Sequence, residues 1–563
     1  MNRRTFCANL LASSAVLASG NLAPAESNAA PSNRTPTGRS GDPCLRPPDL
    51  ITVFHEGGEA NLRPASAGSW QAPGIEVLTT PGKDRLAVTL NAPKLAVIRL
   101  RLRWNLDLAR TKLFLGDHWE RSYGDLEWRG EVPNRILPWY FMAWNGKTTD
   151  GYGVATGPNA FCFWTADYSG VTLWADVRSG GVGVHLGERT LPVCEVCYRA
   201  GNTHETPFAA TQEFCRQLCS KPLLPKLPSY GTNDWYYSYG DNHPDVLLKT
   251  TDMVVALSPA GENRPWSIVD DGWSPDGPEK GLWDRGNNRF GDMRAFADKL
   301  KAAGAQPGIW FRPLLAAQSR PQSLRLTRDP SFFDPTIPEA LEIVAADTRR
   351  LREWGYRLIK HDYSSYDLMG RWGFNMGPGL TDDKWQFADR SRTTAEIVLK
   401  FYATLRDAAG DALLIGCNTF SHLSAGLFEI NRIGDDVSGR AWNRTRRMGV
   451  NTLAFRAAQH GTFYAADPDI APITSQHPWA QGKQWLQLLA GSGMPLFVSP
   501  ELSALNPETK AALKAAFAQA AVAQPVAEPL DWLETNCPRH WRLGSRTVAF
   551  DWSTPEGPWP FQD

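Results

Sequence analysis

The sequence lacks an excess of charge of either sign, because 59 Lys and Arg residues balance 59 Asp and Glu residues in a chain of 563. Proteins that bind nucleic acid or an anionic membrane surface usually carry a basic excess, so this balance argues against both as the main partner. The apolar run over residues 10–18 is too short to cross a membrane as a mature helix. We therefore expect no nucleic-acid partner and no membrane span.

Recognisable metal-binding spacings are absent as well. The sequence shows no EF-hand spacing, and no HExxH or His-x-His at a predicted strand end. Cys194 and Cys197 have the spacing of half a zinc knuckle, but no second CxxC and no pair of histidines completes it. We expect a disulfide or two thiols there, and no metal or other cofactor.

The first 25 residues have the pattern of a targeting segment. Arg3 and Arg4 precede a mostly apolar run, and Ala23-Pro24-Ala25 is typical of a cleavage site. The paired arginines resemble a twin-arginine export signal, which predicts a periplasmic or secreted bacterial protein. Residues 26–47, rich in Ser, Pro, Asn and Gly, are predicted to be a flexible linker. Eight cysteines follow the signal, and export permits disulfides among them, with the connectivity left open.

Two hydrophobic patterns divide the rest of the chain. Residues 48–225 show the two-residue alternation of β-strands, with Gly and Pro at short spacing as in a sandwich. Over residues 229–523, short apolar strands alternate with helical stretches, and eight such units predict a parallel (β/α)8, or TIM, barrel. Residues 524–563 have room for only a short β segment. The predicted fold class is α/β: a barrel with an amino-terminal antiparallel β-sandwich domain and a short carboxy-terminal β segment.

In such a barrel the chemistry lies where the strands end. We predict the strands near residues 230–235, 265–271, 306–312, 356–362, 412–418, 430–436, 462–467 and 494–499. A lone Asp at such a place is as easily a solvated loop residue or a helix cap. Carboxylates that recur on five strands of one face indicate a site instead. The candidate site residues are Trp235, Asp270, Asp271, Trp310, Arg312, Lys360, Asp362, Cys417, Asn418, Arg432, Asp436 and Asp467.

Two carboxylates across a sugar are the minimum for hydrolysis of a glycosidic bond. One must be ionised, and the other must be kept protonated by its surroundings. The remaining carboxylates can accept hydrogen bonds from sugar hydroxyls, and a tryptophan can form a floor for the ring. A Ca²⁺ or Mg²⁺ site is the rival interpretation of an Asp cluster, but none of the metal-binding spacings named above supports it. We therefore expect a carbohydrate partner.

At these residues the chain resembles the retaining α-galactosidases of glycoside hydrolase families 27 and 36, over about residues 229–505. Lys360-His361-Asp362 is similar to the family's Lys-aromatic-Asp motif at the fourth strand, which implies that Asp362 is the nucleophile. Asp436 follows Arg432 by four residues, as the family's acid/base does, and Asp435 is its rival for that role. The other similar motifs are IVDDGW (Asp270, Asp271), GIWFRP (Trp310, with Arg312 in place of Glu), the strand-one Trp235, and FYAADPDI (Asp467, Asp469).

The resemblance implies a double displacement. Asp362 attacks the anomeric carbon while Asp436 protonates the leaving oxygen and later deprotonates water. It also implies that Asp270 and Asp271 bind the O4 and O6 hydroxyls and that Arg432 contacts O2. The two catalytic carboxyl groups are then expected to lie roughly 5–6.5 Å apart, as retention requires.

The expected substrate is an oligo- or polysaccharide with terminal α-linked galactose. Cys417 and Asn418 match neither form that the family shows beside C2 of the sugar, so β-L-arabinopyranosides and α-N-acetylgalactosaminides are alternatives. His361 is expected to alter the wall beside the nucleophile, and Lys360 to favour the ionised form of nearby carboxylates. A galactosyl transglycosylase is a further alternative, and a non-catalytic carbohydrate-binding protein is the alternative from a different class.

Overall fold

The computed structural model of the protein describes residues 43–381, 384–554 and 557. The predicted targeting segment, residues 1–25, and most of the predicted linker lie outside the described residues. Within those ranges, no helix has the length and apolar character needed to cross a membrane. The eight cysteines from Cys44 onward are free thiols. Cys194 and Cys197 are therefore two thiols.

An antiparallel region comes first. Its strands are β1 (Leu50–His55), β2 (Gly58–Asn61), β3 (Arg63–Ser66), β4 (Ser69–Ala72), β5 (Ile75–Pro81), β6 (Arg85–Asn91), β7 (Ala96–Asn105), β8 (Leu113–Gly116), β9 (Leu137–Pro138), β10 (Tyr140–Trp144), β11 (Thr149–Val154), β12 (Phe161–Asp167), β13 (Gly170–Asp176), β14 (Val184–His185) and β15 (Leu191–Arg199). One sheet has the order β2-β1-β7-β13-β12-β9, with β14 beside β7, and the other has the order β3-β4-β5-β6-β15-β11-β10-β8. Buried side chains of both sheets share one hydrophobic core.

Strand β7 shows why the sequence predicts this architecture. Leu102 and Trp104 are buried in the core, whereas the arginines between the apolar residues are partly exposed on the opposite face. On that face Arg103 pairs with Asp167 at 2.7 Å. The two-residue alternation thus places apolar side chains inward and charged ones outward.

A parallel sheet of nine strands follows. Its strands are β16 (Tyr230–Asn233), β17 (Trp266–Val269), β18 (Gln306–Phe311), β19 (Leu358–His361), β20 (Leu413–Gly416), β21 (Ile430–Arg432), β22 (Ala465–Asp467), β23 (Ile470–Ile473) and β24 (Leu496–Pro500). Their order is β22-β21-β20-β19-β18-β17-β16-β24-β23, and each neighbouring pair is parallel.

The parallel sheet has one strand more than the eight predicted. The strand predicted near residues 462–467 is β22, which pairs with β21, and a second strand that was not predicted, β23, follows it and pairs with β24. Only Pro468 and Asp469 separate β22 from β23. Asp469 adopts a left-handed conformation with φ of 76°, so the chain turns there between its two partners. The two ends of the sheet are therefore adjacent in sequence, and the sheet is curled.

Helices connect the strands of the parallel sheet. They are α1 (Pro207–Leu218), which precedes the sheet, α2 (Trp235–Ser238), α3 (Pro244–Leu257), α4 (Met293–Ala302), α5 (Pro338–Glu353), α6 (Ser364–Met369), α7 (Thr394–Ala409), α8 (Ser421–Ser424), α9 (Trp442–Thr445), α10 (Asn451–Arg456), α11 (Trp479–Gly491) and α12 (Pro507–Ala520). Helix α12 begins as predicted, with Asn506 as N-cap and Pro507 in the first turn. After it, β25 (Glu528–Pro529), β26 (His540–Leu543) and β27 (Arg546–Ala549) form a small antiparallel sheet.

One loop of the antiparallel region lies against the parallel sheet. The backbone N–H of Ser122 donates to the carbonyl of Ile433 at 2.9 Å, and that of Asp435 donates to the carbonyl of Ser122 at 2.8 Å. The fully buried Arg456 donates to the carbonyl of Glu120 at 2.6 Å. These bonds hold the loop at the carboxyl end of β21.

Candidate active site

A small pocket opens at the carboxyl ends of the parallel strands. We call it the strand-end pocket. Its lining includes the predicted residues Trp235, Asp270, Asp271, Trp310, Lys360, Asp362, Arg432 and Asp436. It also includes Tyr236, Tyr363, Asp469 and Ile470.

Asp362 follows the last residue of β19 and is held by neutral donors. Its Oδ2 accepts a hydrogen bond from Trp310 Nε1 at 3.2 Å, and its Oδ1 accepts from the backbone N–H of Tyr363 at 2.7 Å. Asn418, with its amide nitrogen facing Asp362, donates to Oδ1 at 2.6 Å. These donors fix the orientation of the carboxylate. Among the residues that the structure describes, no cation lies at hydrogen-bonding distance from it.

Asp436 lies after β21 and is held by cations instead. Its Oδ1 accepts from Arg432 Nη2 at 2.9 Å and from Arg121 Nη1 at 3.1 Å. Burial by itself would raise the pKa of Asp436, but the guanidinium groups of Arg121 and Arg432 outweigh it and hold the pKa well below its usual range. The side chain keeps 39% of its surface exposed toward the pocket side. Asp436 is therefore ionised and accessible in this state of the site.

Asp435, the rival for the acid role, does not line the strand-end pocket. Its two oxygens are bound by Arg121 Nη2 at 2.6 Å and by Arg444 Nη2 at 3.0 Å. Only 13% of its side chain is exposed. Adjacent residues after a strand point in different directions, and here Asp436 is the member of the pair that reaches the pocket.

Asp270 and Asp271 follow β17, the second strand of the parallel sheet, and both line the pocket. Asp270 Oδ2 accepts from Lys360 Nζ at 2.7 Å and from Asn233 Nδ2 at 2.6 Å. Burial alone would lower the pKa of Lys360, but the carboxylate of Asp270 raises it above its usual value. Burial and the nearby Asp270 raise the pKa of Asp234, which lies behind the pocket, to about 7. The cation of Lys360 is therefore paired with Asp270.

Four predicted binding residues do not line the strand-end pocket, and Arg312 and Asp467 are two of them. Arg312 binds the buried Asp367, with Nη2 at 2.5 Å from Oδ1 and Nε at 3.0 Å from Oδ2. Its guanidinium lies 4.1 Å from the ring centroid of Tyr363, so it supports a pocket wall from behind. Asp467 Oδ1 accepts from the backbone N–H of Asp469 at 3.0 Å. Asp467 thus closes the turn between β22 and β23, and Asp469 is the residue of this turn that lines the pocket.

Cys417 and Asn418, which follow β20, lie beneath the residues that line the pocket. Cys417 Sγ lies 3.6 Å from Arg432 Nη1 and 3.9 Å from Arg121 Nη1, and it is almost fully buried. Asn418 is also buried, and its amide oxygen accepts from Arg121 Nε at 3.2 Å. Both predicted residues therefore act on the pocket through its lining.

The expectation for His361 is wrong, because this side chain does not form a pocket wall. It is fully buried, with its ring 4.8 Å from that of Phe428 and 6.1 Å from that of Tyr402. Successive side chains of a strand point to opposite faces, so Lys360 reaches the pocket and His361 reaches the core behind the sheet. Burial lowers the pKa of His361 from 6.5 to about 3, so the ring is neutral.

Sequence reasoning missed Arg121 entirely. This residue belongs to the antiparallel region and is separated from Asp436 by 315 positions. No pattern around it suggests a site, because its partners come from another part of the fold. Asp469, by contrast, stands in the DPD motif, and its Oδ2 accepts from Arg432 Nη2 at 2.8 Å and from Tyr236. The motif was the available signal for it.

The structural comparison identifies the fold. The α-galactosidase of Thermus thermophilus, solved with p-nitrophenyl α-D-galactopyranoside, superposes with a TM-score of 0.57 at 19% identity, over 89% of this chain and 98% of the other. The described chain has the α-galactosidase fold. A family 36 α-galactosidase variant of Geobacillus stearothermophilus, solved with 1-deoxygalactonojirimycin, gives 0.59 at 13% identity, over 87% of this chain and 78% of the other. No family model matches the sequence, and a search of curated proteins found no match.

This α-galactosidase fold brings acids, cations and aromatic rings together at one edge of the parallel sheet. Within the part of the chain that the structure describes, no group of three or more His, Cys, Asp and Glu side chains has the arrangement of a metal site. Asp270 pairs instead with Lys360, and Asp436 pairs with Arg432 and Arg121. The carboxylate of Asp362 is held by neutral donors. Two of the carboxylates, Asp362 and Asp436, face the same pocket with contrasting partners. That arrangement suits acid–base and nucleophilic chemistry on one bound sugar.

Proposed function

We propose that the protein is a retaining exo-glycoside hydrolase that releases terminal α-linked galactose from oligo- or polysaccharides. The observation that carries the proposal is the pair of carboxylates, Asp362 and Asp436, on different strands and facing one small pocket. The solved structures with the same fold are α-galactosidases, and their printed ligands include an aryl α-galactoside and stachyose.

The proposed reaction has two balanced steps. In the first, an oxygen of Asp362 forms a bond to C1 while the bond from C1 to the leaving oxygen breaks and takes the proton of Asp436. In the second, Asp436 takes a proton from water, whose oxygen displaces Asp362 from C1. Because Arg121 and Arg432 hold Asp436 in its ionised form, one of the two guanidinium groups has to move away before Asp436 can carry the first proton. Arg432 would do so by turning toward O2 of the sugar.

The other lining residues suit recognition of a galacto-configured ring. Asp270 and Asp271 would accept from the O4 and O6 hydroxyls, and Trp235 and Trp310 would border the apolar face of the sugar. Cys417 is covered by Arg121 and Arg432. This crowding favours a plain hydroxyl at C2 over an acetamido group. β-L-Arabinopyranosides, which lack only the O6 arm, remain the alternative glycone.

A panel of p-nitrophenyl glycosides tests the proposal. We expect the α-galactoside to be the best substrate, with the β-L-arabinopyranoside next and the α-N-acetylgalactosaminide poorest. NMR of the first-formed sugar should show the α anomer, since two inversions restore the configuration. A first-formed β anomer would exclude the retaining mechanism. Binding of galactose without turnover of any glycoside would favour the carbohydrate-binding alternative, and transfer to an added sugar in preference to water would favour the transglycosylase.

We also propose the finer architecture and the location. Closure of the sheet into a (β/α)8 barrel is supported by β22 and β23, which pair with opposite ends of the strand order and are joined by two residues. The antiparallel sandwich, the barrel and the small carboxy-terminal sheet would then be three domains. Residues 1–25 would direct export to the periplasm. Replacing Arg3 and Arg4 by Lys should leave the protein in the cytoplasmic fraction, and unchanged fractionation would contradict this.

A further inference from the structure

Arg121 is the contribution of the antiparallel region to the acids around the strand-end pocket. Its side chain is only 7% exposed, and its guanidinium contacts groups from two strand ends. Nη1 binds Asp436 Oδ1 at 3.1 Å, Nη2 binds Asp435 Oδ1 at 2.6 Å, and Nε donates to the amide oxygen of Asn418 at 3.2 Å. Asn418 in turn donates to Asp362. A continuous chain of hydrogen bonds therefore joins the two candidate catalytic carboxylates through Arg121.

The backbone around Arg121 is pinned on both sides. Ser122 exchanges backbone hydrogen bonds with Ile433 and Asp435, as described above. Glu120 is fully buried and accepts from the backbone N–H of Gly373 at 2.7 Å and from the hydroxyl of Ser365. The guanidinium of Arg121 also lies 5.8 Å from the ring centroid of Trp372. Such support from several directions is what holds a long side chain in one geometry.

The hydrogen bonds of Asp436 are one-sided. Arg121 and Arg432 both donate to Oδ1. Among the described residues, none donates a hydrogen bond to Oδ2. A carboxyl group held by one oxygen presents the other in a defined direction, because rotation about the Cβ–Cγ bond would break both bonds. The free oxygen is the one that can carry a proton to a leaving group.

We propose that Arg121 is a positioning residue for the acid step: it anchors Oδ1 of Asp436 and thereby aims Oδ2 at the glycosidic oxygen. This inference rests on the proposed function. Arg432 alone does not replace Arg121, because Arg432 also binds Asp469 and is expected to turn toward the sugar. With Arg121 gone, Asp436 loses the contact that stays in place during the reaction, and proton donation becomes poorly aligned.

Leaving-group dependence separates this role from a merely structural one. A p-nitrophenolate leaves with little help from an acid, whereas phenol or a sugar alcohol needs the proton. For Arg121→Met we expect kcat/KM on phenyl α-galactoside to fall about 100-fold, which is within the range that general acid catalysis contributes. On p-nitrophenyl α-galactoside, kcat/KM should fall less than about tenfold. The matched control is Arg129→Met on the same loop, a 57% exposed residue, which should change neither value.

Each outcome decides the inference. An equal fall for both substrates would overturn it, since that pattern indicates general damage. If Arg121→Met fails to fold, Arg121→Lys takes its place: a lysine keeps the charge but cannot bind Asp436 and Asn418 together. Its ratio of the two rates should still widen several-fold, and an unchanged ratio would overturn the proposal. Failure of the wild-type protein to cleave either galactoside would instead refute the proposed function.

Discussion

The two candidate catalytic carboxylates are held in opposite ways. Asp362 accepts from an indole, a backbone N–H and an amide, whereas Asp436 accepts from two guanidinium groups. Both sets of donors fix a carboxylate in one orientation. Only the second set brings positive charge to hydrogen-bonding distance. In this site, neutral donors orient Asp362 without adding positive charge, whereas the guanidinium groups both orient Asp436 and add positive charge beside it.

The difference matches two different tasks. A nucleophile has to keep its negative charge and offer an oxygen to carbon, which neutral donors allow. An acid that becomes a base has to change its protonation state during the reaction, and a neighbouring cation that can move away, here Arg432, makes that change sensitive to substrate. The comparison therefore predicts unequal responses when the two carboxylates or their partners are altered.

The largest effect is expected from removing each carboxylate. Asp362→Ala should lose at least about 10⁴-fold in kcat on every aryl galactoside, the scale seen when a nucleophile or its direct partner is removed. Asp436→Ala should lose as much on phenyl but far less on p-nitrophenyl α-galactoside. Azide should restore Asp362→Ala with formation of the β-galactosyl azide and Asp436→Ala with the α anomer, both read by NMR. Exchange of the two anomers would reverse the assigned roles.

The next effect concerns the cation that Asp362 does not use. Lys360→Met leaves the buried Asp270 without its cation, which should cost roughly 3–5 kcal/mol in the free energy of unfolding. Adding Asp270→Asn should recover part of that stability, measured by urea denaturation, but not activity. Lys280→Met is the control, because Lys280 is 48% exposed and lies 4.0 Å from Asp271. A fully stable Lys360→Met would show that the pair contributes little to folding.

A smaller effect should follow from one neutral donor. Trp310→Phe keeps an aromatic wall and removes the N–H that binds Asp362 Oδ2 at 3.2 Å. A hydrogen bond to a charged group is worth about 1.5–3 kcal/mol, so kcat should fall roughly tenfold to a hundredfold. Trp144→Phe on β10, away from the pocket, is the control. A change confined to KM would mean that Trp310 binds the sugar without orienting Asp362.

The smallest effect concerns the core behind Asp362. Between pH 6.5 and about 3, the unfolded chain protonates His361 while the folded chain keeps it neutral, so acidification lowers the stability of the wild-type protein. His361→Phe fits the ring site beside Phe428 and removes this loss. Its melting temperature should therefore fall less than that of wild type between about pH 7 and 4. Equal falls would show that His361 does not titrate in this way.

Much of the site was predictable because it lies in short motifs at strand ends. Asp270 and Asp362 each follow a buried strand, and Lys360 is the last residue but one of β19. Parallel strands bring their carboxyl ends to one edge of the sheet. Arg312 was predicted in the same way and yet turns to Asp367. Residue type and spacing indicate which edge a side chain occupies, whereas a neighbour's charge decides where a long side chain ends.

By itself, the sequence determined where along the chain most strands of the parallel sheet lie and that acids follow them. A strand is recognised from local periodicity, and the residues that follow it are read directly from the sequence. Only the tertiary structure decided that Asp469, rather than Asp467, faces the pocket. Turn geometry, which one residue of left-handed conformation can reverse, controls that choice. The tertiary structure alone also brought in Arg121, since a contact across 315 positions leaves no local pattern to detect.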